Sequence, residues 1–483
     1  MSTSFGLSTR LVGSLSNRRR LVGLGAVAAL SLSLAACSPA TPSPSVSPEG
    51  GTPASVSVEE TVSPSTSEAS VEPAGEPTAV PSVESTLEQD VGITTEPKFG
   101  SAPESTPAGG AKQPGAKDLG GSGEDVTLTF AATGDMLPHG PLVKAARRGD
   151  GSVHLMDRMV GVEPYIKGAD LALCHLEVPF APRDNLVKDY PQFAAPPSLI
   201  GDLKELGYDG CSTASNHSWD QKQAGFDRTL QLMANSQLGT AGTNLTPEMK
   251  PYQLYRLERA GRTITIGHVS LTYGHNRWPI AQLQREPWRL NLDDIDRAIA
   301  DAKAAKAAGA DVVIASMHTG VEWDPTPSTD QKGWSQRFAD SGVVDLVIGH
   351  HPHVAQTAKA YPRPGRTVPM WSFYGLGNMI SAQVPSQGKL TQVGVLALPT
   401  LTLNARNEVI AASATWEPLV LDRAGLRLYT ASALEAHKGP APRTNRATLL
   451  SYLQAGRSQM GSVIKEASAP PVSGGKPPVA LPR

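Results

Sequence analysis

Cysteine is scarce in this chain, since Cys37, Cys174 and Cys211 are its only three among 483 residues. Three cysteines exclude a disulfide framework, and their spacing matches no zinc site built from paired cysteines. Cys174 and Cys211 end neighbouring predicted strands. Outside the membrane they could form a disulfide, and two buried free thiols are equally compatible with the sequence.

The chain also lacks a strong excess of charge, because 43 basic and 45 acidic residues give a formal net charge of −2. The charge is unevenly spread. Residues 1–37 carry four arginines and no acidic residue, whereas residues 38–124 carry 13 acidic and 3 basic residues. The remainder is mildly basic, which is compatible with an anionic substrate. It does not show the strongly basic character of nucleic-acid-binding domains, so we expect no nucleic-acid partner.

The apolar run at residues 21–36 is short for a membrane span but has the length of a signal-peptide core. It follows an arginine triplet and ends in Leu34-Ala35-Ala36-Cys37, which resembles a bacterial lipobox. In that motif, cleavage precedes the cysteine, which receives a lipid. We therefore expect residues 1–37 to be a lipoprotein signal peptide. Cys37 would then anchor the protein at the extracellular face of a bacterial cell membrane. An ordinary cleaved signal, a short anchor helix and a twin-arginine signal are the alternatives.

Residues 38–124 are rich in serine, threonine, proline and glutamate, and Phe99 is their only aromatic residue. Such a segment cannot bury enough apolar surface to offset the entropy of ordering, so we expect a disordered linker. A flexible chain of this length reaches roughly 50 Å on average, enough to hold a domain away from a membrane.

From residue 125 onward, apolar strands alternate with helices, which predicts a layered α/β fold. The predicted strands cover 126–132, 169–174, 208–213, 262–270, 311–316, 343–348 and 369–373, with an antiparallel pair at 391–402 and 408–416. The predicted helices cover 197–206, 224–236, 293–308, 329–341 and 445–455. We expect one domain at residues 125–425, followed at 426–483 by a C-terminal helix and a disordered tail. Polar residues gather just after the strand ends, where open α/β sheets bind ligands.

Three of the chain's eleven histidines fall within residues 350–353, directly after a predicted strand. Neutral imidazole is the commonest metal ligand in proteins, although such a cluster can also be a polar loop without metal. Other strands lead into Asp135, Glu177, Asn216 with His217, and His318. A mixture of carboxylate, amide and imidazole ligands suits Zn, Fe or Mn rather than Ca or Mg. We therefore expect a divalent metal cofactor, as one ion or two.

Six short motifs follow one another along the chain. They are Thr133-Gly134-Asp135, His175-Leu176-Glu177, Asn216-His217-Ser218-Trp219-Asp220, His318-Thr319-Gly320-Val321-Glu322, Gly349-His350-His351-Pro352-His353 and Gly375-Leu376-Gly377-Asn378. Their order and spacing resemble the CapA family of poly-γ-glutamate capsule synthesis proteins, over about residues 125–420. That family is similar to calcineurin-like metallophosphoesterases. The resemblance implies a four-layer core, with two β-sheets between helices and a metal site at the strand ends.

The resemblance also implies roles for individual residues. The implied ligands or site residues are Asp135, Glu177, Asn216, His217, His318, His351 and His353. His351 and His353 are preferred to His350 because His351-Pro352-His353 resembles the His-x-His motif of metallophosphoesterases. Asp220 and Asn378 are expected to orient ligands from behind. His175 and His217 are the candidate catalytic residues, as proton donors to a leaving group.

Three positions depart from the family's pattern. His175 stands where the family usually has Asn, and it could be an additional ligand, a general acid or a polar neighbour of the site. Thr319 replaces a usual Trp, which removes an aromatic wall and puts the family's substrate preference in doubt. Lys222 replaces a usual Gly and could meet an anionic substrate or be a solvated surface lysine.

Three functions stay open on the sequence, because a fold does not fix a function. The first is a role in the synthesis, export or release of a cell-envelope anionic polymer such as poly-γ-glutamate, with membrane synthase or export partners. The second is a secreted metal-dependent phosphoesterase acting on extracellular or wall phosphoesters. The third is a non-catalytic assembly module. The sequence does not decide whether the protein is an enzyme.

Overall fold

The computed structural model describes residues 123–276 and 278–483. The predicted signal peptide with Cys37, and the predicted linker up to residue 122, lie outside the described residues. The described β-strands are, in chain order, β1 (Val126–Met136), β2 (Met159–Val160), β3 (Leu171–Leu176), β4 (Gly210–Ser212), β5 (Gly239–Ala241), β6 (Gln253–Arg259), β7 (Arg262–Thr272), β8 (Val312–His318), β9 (Leu346–His350), β10 (Ala358–Arg363), β11 (Arg366–Phe373), β12 (Asn378–Ile380), β13 (Val393–Leu403), β14 (Val409–Asp422), β15 (Arg427–Thr430), β16 (Lys465–Glu466) and β17 (Val479–Ala480). The described α-helices are α1 (Gly140–Ala145), α2 (Glu163–Lys167), α3 (Leu199–Leu206), α4 (Lys222–Asn235), α5 (Ile280–Arg285), α6 (Ile295–Ala307), α7 (Thr329–Asp340), α8 (Ala431–Glu435) and α9 (Arg446–Met460).

The strands form two sheets. The first runs in the order β2-β15-β14-β13-β1-β3-β4-β5, with β12 paired to β1 and β16 paired to β14. The second runs in the order β10-β11-β9-β8-β7-β6-β17. Each sheet has a parallel run, β1-β3-β4-β5 in the first and β7-β8-β9-β11 in the second. The carboxyl ends of each run therefore lie along one edge of its sheet, while β13 and β14 form the predicted antiparallel pair.

The central strands are covered on both faces, and alternate residues enter different hydrophobic clusters. On β8, Val312 and Ile314 pack in a cluster that also contains Phe130 of β1, so this cluster lies between the two sheets. Val313 of β8 packs instead with Phe338 of α7 and with alanines of α6. A third cluster joins the other face of the first sheet to α1, α2 and α3. The order helix, sheet, sheet, helix confirms the predicted four-layer α/β fold.

Local signals in the sequence explain where the helices over the second sheet begin. The side chain of Asp294 accepts a hydrogen bond from the backbone N–H of Arg297 and caps α6. Ser328 and Gln331 form a reciprocal capping box at the start of α7. Such caps satisfy backbone donors that a helix leaves free in its first turn. Both helices therefore begin within two residues of their predicted starts.

The C-terminal tail, expected to be disordered, is part of the fold. Its strands β16 and β17 pair with β14 and β6. The hydroxyl of Ser473 donates to Oδ1 of Asp170 at 2.9 Å, and Nε of Arg259 donates to the same atom at 2.7 Å. The guanidinium of Arg483 donates to the carbonyl oxygen of Thr240 at 2.8 Å. Composition does not reveal such polar contacts, and the expectation of a disordered tail was wrong. Likewise, β15 extends the first sheet beyond the expected domain end at residue 425.

A disulfide joins Cys174 and Cys211, which decides between the two states that the sequence left open. The two residues face each other in the neighbouring parallel strands β3 and β4, with Cα atoms 4.4 Å apart. Both side chains are buried.

Among the helices of the described residues, none combines the length and the apolarity that a membrane crossing needs.

Candidate metal centre

The ends of parallel strands from both sheets bring the predicted ligands together. Asp135 on β1 is in register with His175 on β3, and His318 on β8 is in register with His350 on β9. The two pairs meet across the sheets, because Nδ1 of His350 lies 3.4 Å from Oδ1 of Asp135. The predicted ligands therefore lie where the carboxyl ends of the two parallel runs converge.

Two glycines permit this close approach. A Cβ on Gly134 would lie 1.9 Å from the carbonyl oxygen of Gly377, and a Cβ on Gly349 would lie 1.9 Å from that of Tyr374. No side chain fits either position. After Gly349 the chain turns sharply, and His351 and His353 have φ angles of 95° and 56°. Non-glycine residues in such rare backbone regions cost of order 1–3 kcal/mol each and concentrate at functional sites.

Asp135 is the central carboxylate and is fully buried. Its Oδ2 lies 3.0 Å from Nδ1 of His353 and accepts a hydrogen bond from the backbone N–H of His351 at 3.2 Å. Burial alone raises the pKa of Asp135, but the nearby imidazoles of His350 and His353 outweigh it and hold that pKa well below its usual value. Asp135 is therefore a buried anion.

Glu177 is the second buried carboxylate, and its Oε1 lies 3.6 Å from Nε2 of His353. Burial raises the pKa of Glu177 to about 7, against the attraction of His353. Burial lowers the pKa of His353, but Glu177 and Asp135 raise it to about 10. A protonated His353 thus supplies the positive charge that the two carboxylates need. A divalent cation would supply the same charge, with His353 neutral as a ligand.

Three further histidines are in the state that binds metal. Burial and the neighbouring imidazoles hold the pKa of His175 and of His318 well below the usual value. Burial, with the charge of His353, lowers the pKa of His351 to about 3. All three rings are therefore neutral near pH 7, and a neutral imidazole offers a lone pair to a metal.

Several buried polar atoms of this cluster have no hydrogen-bond partner among the described residues. They are Oδ1 of Asp135, Oε1 and Oε2 of Glu177, Nε2 of His175, and Nδ1 of His318, His350 and His351. Unpaired buried polar atoms are uncommon and call for an explanation, such as an ion. Ligand atoms lie within 4.8 Å of one another in three sets, which are Asp135 with His175 and His318, Asp135 with Glu177 and His353, and Glu322 with His351 and His353. These residues suggest a divalent metal.

Asn216 and Asn378 contact two of the predicted ligands. Oδ1 of Asn216 lies 2.9 Å from Nε2 of His318, and Oδ1 of Asn378 lies 3.1 Å from Nδ1 of His353. Asn378 thus contacts a predicted ligand, and its supporting role stays a prediction. Asn216 contacts a predicted ligand, although it belongs to none of the three sets of acids and histidines.

His217 belongs to none of those sets and pairs with Asp220. Its Nδ1 lies 2.6 Å from Oδ2 of Asp220, and its other contacts include the ring of Phe193 at a centroid distance of 5.0 Å. Burial alone lowers the pKa of His217, but the hydrogen bond to Asp220 and the attraction of Glu177 raise it. This environment favours the protonated form of the ring.

The remaining residues that were singled out from the sequence differ in how close they lie to the cluster of acids and histidines. His350 lies inside the cluster and stacks on His175 at a centroid distance of 4.1 Å, but it belongs to none of the three sets. Thr319 is buried, and its backbone N–H donates to the carbonyl oxygen of His350. Lys222 is exposed at the start of α4. Neither Thr319 nor Lys222 lines the cavity described next.

A cavity of about 870 Å³ adjoins the cluster and is lined by His217, His353 and Asn216. Most of its other lining residues were not predicted from the sequence. The aromatic members of the lining are Tyr190, Phe193, Tyr273 and Trp323, and the polar members include His139, Asn276, Glu322, Gln383 and Gln387. Of these lining residues, only Glu322 and Trp323 could have been found from the sequence. Glu322 belongs to a recognised motif, and Trp323 directly follows it. Trp323 supplies an aromatic wall four residues after Thr319, where the sequence predicts the loss of one.

The central part of the chain matches a known family. The model of the family "Bacterial capsule synthesis protein PGA_cap" matches residues 129–383, which include every candidate ligand named above. The capsule biosynthesis protein CapA of Bacillus anthracis is 27% identical over 268 residues, which are 54% of this chain and 61% of that protein. The PGA biosynthesis protein CapA of Bacillus subtilis (strain 168) is 25% identical over 280 residues, which are 57% of this chain and 68% of that protein. The match thus spans about three fifths of the length of the first relative.

Two solved structures resemble this chain at low sequence identity. A 5′-nucleotidase precursor from Thermus thermophilus is 16% identical with a TM-score of 0.38, covering 68% of this chain and 59% of that one. The calcineurin-like phosphoesterase YfkN from Bacillus subtilis is 15% identical with a TM-score of 0.37, covering 69% of this chain and 98% of that one.

Proposed function

Because this chain belongs to the bacterial capsule synthesis protein family, we propose that it acts in the synthesis, export or release of an anionic polymer of the cell envelope. The polymer class is that of poly-γ-glutamate, which its relatives' names suggest, since one of them is a PGA biosynthesis protein. Membrane synthase or export components are the proposed partners. The action depends on a centre of Mn, Fe or Zn, with one ion or two, held at the strand ends.

One observation carries the proposal. Two buried carboxylates and a group of neutral imidazoles, with unpaired acceptor atoms, lie beside a cavity of about 870 Å³. A buried cluster of this kind is unusual as a packing element, because buried polar atoms without partners destabilise a fold unless an ion or another group satisfies them. The cavity is of the size that takes a small ligand or a polymer end.

Different residues of the chain have different roles in this proposed site. Asp135, Glu177, His318, His351 and His353 would hold the ion, while Asn216 and Asn378 would orient the rings of His318 and His353. When bound, a divalent ion supplies Lewis acidity and charge neutralisation for a hydrolytic or transfer reaction. His217, held by Asp220, keeps a proton at the cavity wall and donates it to the leaving group.

Metal analysis tests the proposed centre. We expect the purified protein to contain Mn, Fe or Zn, and His318→Ala to lose most of it, because His318 is fully buried among the ligand atoms. His437→Ala is the matched control, since His437 is exposed and belongs to none of the ligand sets. A wild-type protein free of metal, or a His318→Ala variant with an unchanged content, would contradict the proposal.

A polymer assay in the producing bacterium tests the role itself. Replacing the gene by one that encodes His318→Ala is expected to abolish the envelope polymer, while protein abundance and the His437→Ala strain stay normal. If the polymer persists although the variant has lost its metal, the centre does not serve polymer production.

A secreted metal-dependent phosphoesterase is the second candidate, and the His217–Asp220 pair at the cavity wall favours it. A proton held at the cavity suits the departure of an alcohol from a phosphoester. Turnover of a generic phosphodiester by the wild-type protein, abolished in His318→Ala, would support this candidate. Loss of polymer without any such turnover would support the first, and loss of polymer on deletion but not in His318→Ala would indicate a non-catalytic assembly role.

The proposed place of action is the extracellular face of the cell membrane. The arginine triplet, the apolar run and the Leu34-Ala35-Ala36-Cys37 motif support it. The buried Cys174–Cys211 disulfide is consistent with it, because disulfides persist mainly outside the cytoplasm. In this proposal the lipid on Cys37 anchors the chain and residues 38–124 act as the tether.

A further inference from the structure

A second cavity, called here the α7–β10 groove, shares no lining residue with the cavity beside the metal centre. Its volume is about 530 Å³, and it is lined by parts of α7, of the edge strand β10 and of β11. Tyr361, Trp371 and Tyr374 are its aromatic lining residues, whereas Lys332 and Lys359 are its charged ones. No acidic residue of the described chain lines it. The groove has the size of a ligand site and combines apolar surface with positive charge.

Both lysines of the α7–β10 groove are available to a ligand. Lys332 and Lys359 are exposed, and neither side chain forms a salt bridge or a hydrogen bond within the described part of the chain. Nζ of Lys359 lies over the ring of Tyr361, 4.4 Å from its centroid. Such a contact keeps the positive charge and leaves N–H donors of the ammonium group free for an anion.

The cavity beside the metal centre lacks such cations. Its lining includes aromatic rings, amides and Glu322, but no lysine or arginine of the described residues. A carboxylate in that cavity is neutralised only where it reaches the ion or a protonated histidine. A polyanion that extends beyond the cavity therefore gains electrostatic attraction only from another surface.

A short loop joins the two cavities. Trp323 lines the cavity beside the metal centre, and Pro327, four residues later, lines the α7–β10 groove. The Cα atoms of these two residues are at most about 14 Å apart, because an extended chain cannot span more. The loop between them is held in place, since Nε2 of Gln356 donates to the carbonyl oxygen of Asp324 at 2.8 Å. One extended polymer can therefore reach both cavities.

We infer that the α7–β10 groove binds the stretch of an anionic polymer that extends from the cavity beside the metal centre. A γ-linked glutamate chain has the chemistry that fits this groove. Each unit contributes methylene groups to the main chain, which pack against aromatic rings, and carries a carboxylate, which pairs with a lysine. This inference rests on the proposed function, which supplies the polymer class. Lys332 and Lys359 are binding residues here and do not touch the reacting bond.

Titration of the full chain with a γ-linked glutamate oligomer, followed by calorimetry, tests the inference. We expect the double variant Lys332→Gln and Lys359→Gln to bind the oligomer about 10-fold more weakly than the wild-type protein, because two charge pairs at an exposed surface are lost. The double variant Lys250→Gln and Lys303→Gln is the matched control, since both residues are exposed and line neither cavity. It changes the net charge equally and is expected to bind as the wild-type protein does.

A neutral oligomer separates the effect of charge from that of packing. A γ-linked glutamine oligomer of the same length keeps the main chain and lacks the carboxylates. We expect it to bind more weakly than the glutamate oligomer, with the same affinity for the wild-type protein and for the double variant of Lys332 and Lys359. If substitution of the two lysines weakens the binding of both oligomers equally, the lysines do not pair with carboxylates and the inference is wrong.

The acidic segment at residues 38–124 is the competing occupant of the groove. A carbodiimide couples an amine to a carboxylate in contact with it, so digestion and mass spectrometry of the treated full chain identify the partner of each lysine. We expect Lys332 and Lys359 to be coupled to the added glutamate oligomer. Coupling of both lysines to residues 38–124, which the oligomer does not displace, would overturn the inference.

The outcomes separate this inference from the proposed function. Equal affinities of the wild-type protein and the double variant of Lys332 and Lys359, or equal losses in the two double variants, would overturn the inference alone. A wild-type protein that binds no oligomer would also overturn it, and the polymer assay with His318→Ala would then decide the proposed function by itself. Persistence of the polymer in the His318→Ala strain would contradict the proposed role of the metal centre, while lysine-dependent binding of the oligomer would still be measured.

Discussion

At the scale of single residues, the centre of this domain contains groups that destabilise the fold. Asp135 and Glu177 are buried carboxylates, and apolar residues of similar volume would often be equally or more stabilising in their place. His351 and His353 add unfavourable backbone conformations. Natural sequences keep such features where function requires them. The cluster is therefore better explained by binding than by folding.

His217 provides the sharpest test at this scale. We expect His217→Gln to lower the turnover of a substrate with a poor leaving group by about 100-fold or more, because a proton donor is lost. The metal content should not change, since His217 belongs to none of the ligand sets. Asp220→Asn should cost less, about 10-fold, because Asp220 only holds the ring and favours its charge.

Comparing two leaving groups separates proton donation from a structural effect. A nitrophenolate departs without a proton, so an ester of nitrophenol should be cleaved at nearly the wild-type rate by His217→Gln. Loss of metal from His217→Gln would show instead that this ring is a ligand, which the sequence also allows.

The sequence predicts the centre of the site much better than its walls. Asp135, Glu177 and His318 each follow a short apolar run, and parallel strands necessarily bring their carboxyl ends to one edge. Tyr190, Phe193 and Tyr273 line the cavity from loops that lie far apart in the sequence. No local pattern links such loops, because their proximity depends on the packing of the whole domain.

At the scale of elements, β3 and β4 connect the stability of the fold to the site. Cys174 and Cys211 are paired in register, and the next residues in register are His175 and Ser212. The disulfide therefore fixes the two strands at the step directly before the hydrogen bond that orients His175. Stability and ligand geometry depend on the same pair of strands.

Removing this disulfide is expected to destabilise the protein by about 2–4 kcal/mol, since it closes a loop of 37 residues. The double variant Cys174→Ala and Cys211→Ala should unfold at a lower urea concentration than the wild-type protein, with a similar denaturant slope. Reduced and unfolded wild-type protein, refolded with its thiols blocked, should match the variant. An unchanged midpoint, or free thiols at Cys174 and Cys211 in the unfolded, unreduced protein, would contradict the assigned bridge.

Elements with strong local signals were predicted, and those defined by their partners were not. The caps at Asp294 and Ser328 and the alternation of β7 are local signals. In contrast, β17 is two residues long and exists because it pairs with β6. The contacts of Arg483 similarly depend on loops more than 200 residues away in the sequence. The composition therefore predicted disorder in the C-terminal tail, whereas long-range hydrogen bonds hold this tail in place.

At the scale of the whole molecule, the charge distribution matches the proposed division into anchor, tether and domain. Residues 38–124 are strongly acidic, while the domain that follows is mildly basic. In that proposal, an acidic tether would be repelled by anionic lipid surfaces.

The lipid anchor is the last prediction. We expect Cys37→Ser to move the protein from the membrane fraction to the medium when it is expressed in a bacterium that processes lipoproteins. A diacyl anchor contributes about 0.8 kcal/mol per buried CH₂ group, and two chains hold a protein stably where one does not. Ser38→Ala is the matched control, because it changes the next residue and leaves the thiol. The wild-type protein should resist extraction by high salt, since the attachment is apolar, and should carry the mass of the lipid. If Cys37→Ser stays in the membrane fraction, or if the mature wild-type protein lacks the added mass, the lipidation of Cys37 is wrong and the apolar run at residues 21–36 is the remaining candidate anchor.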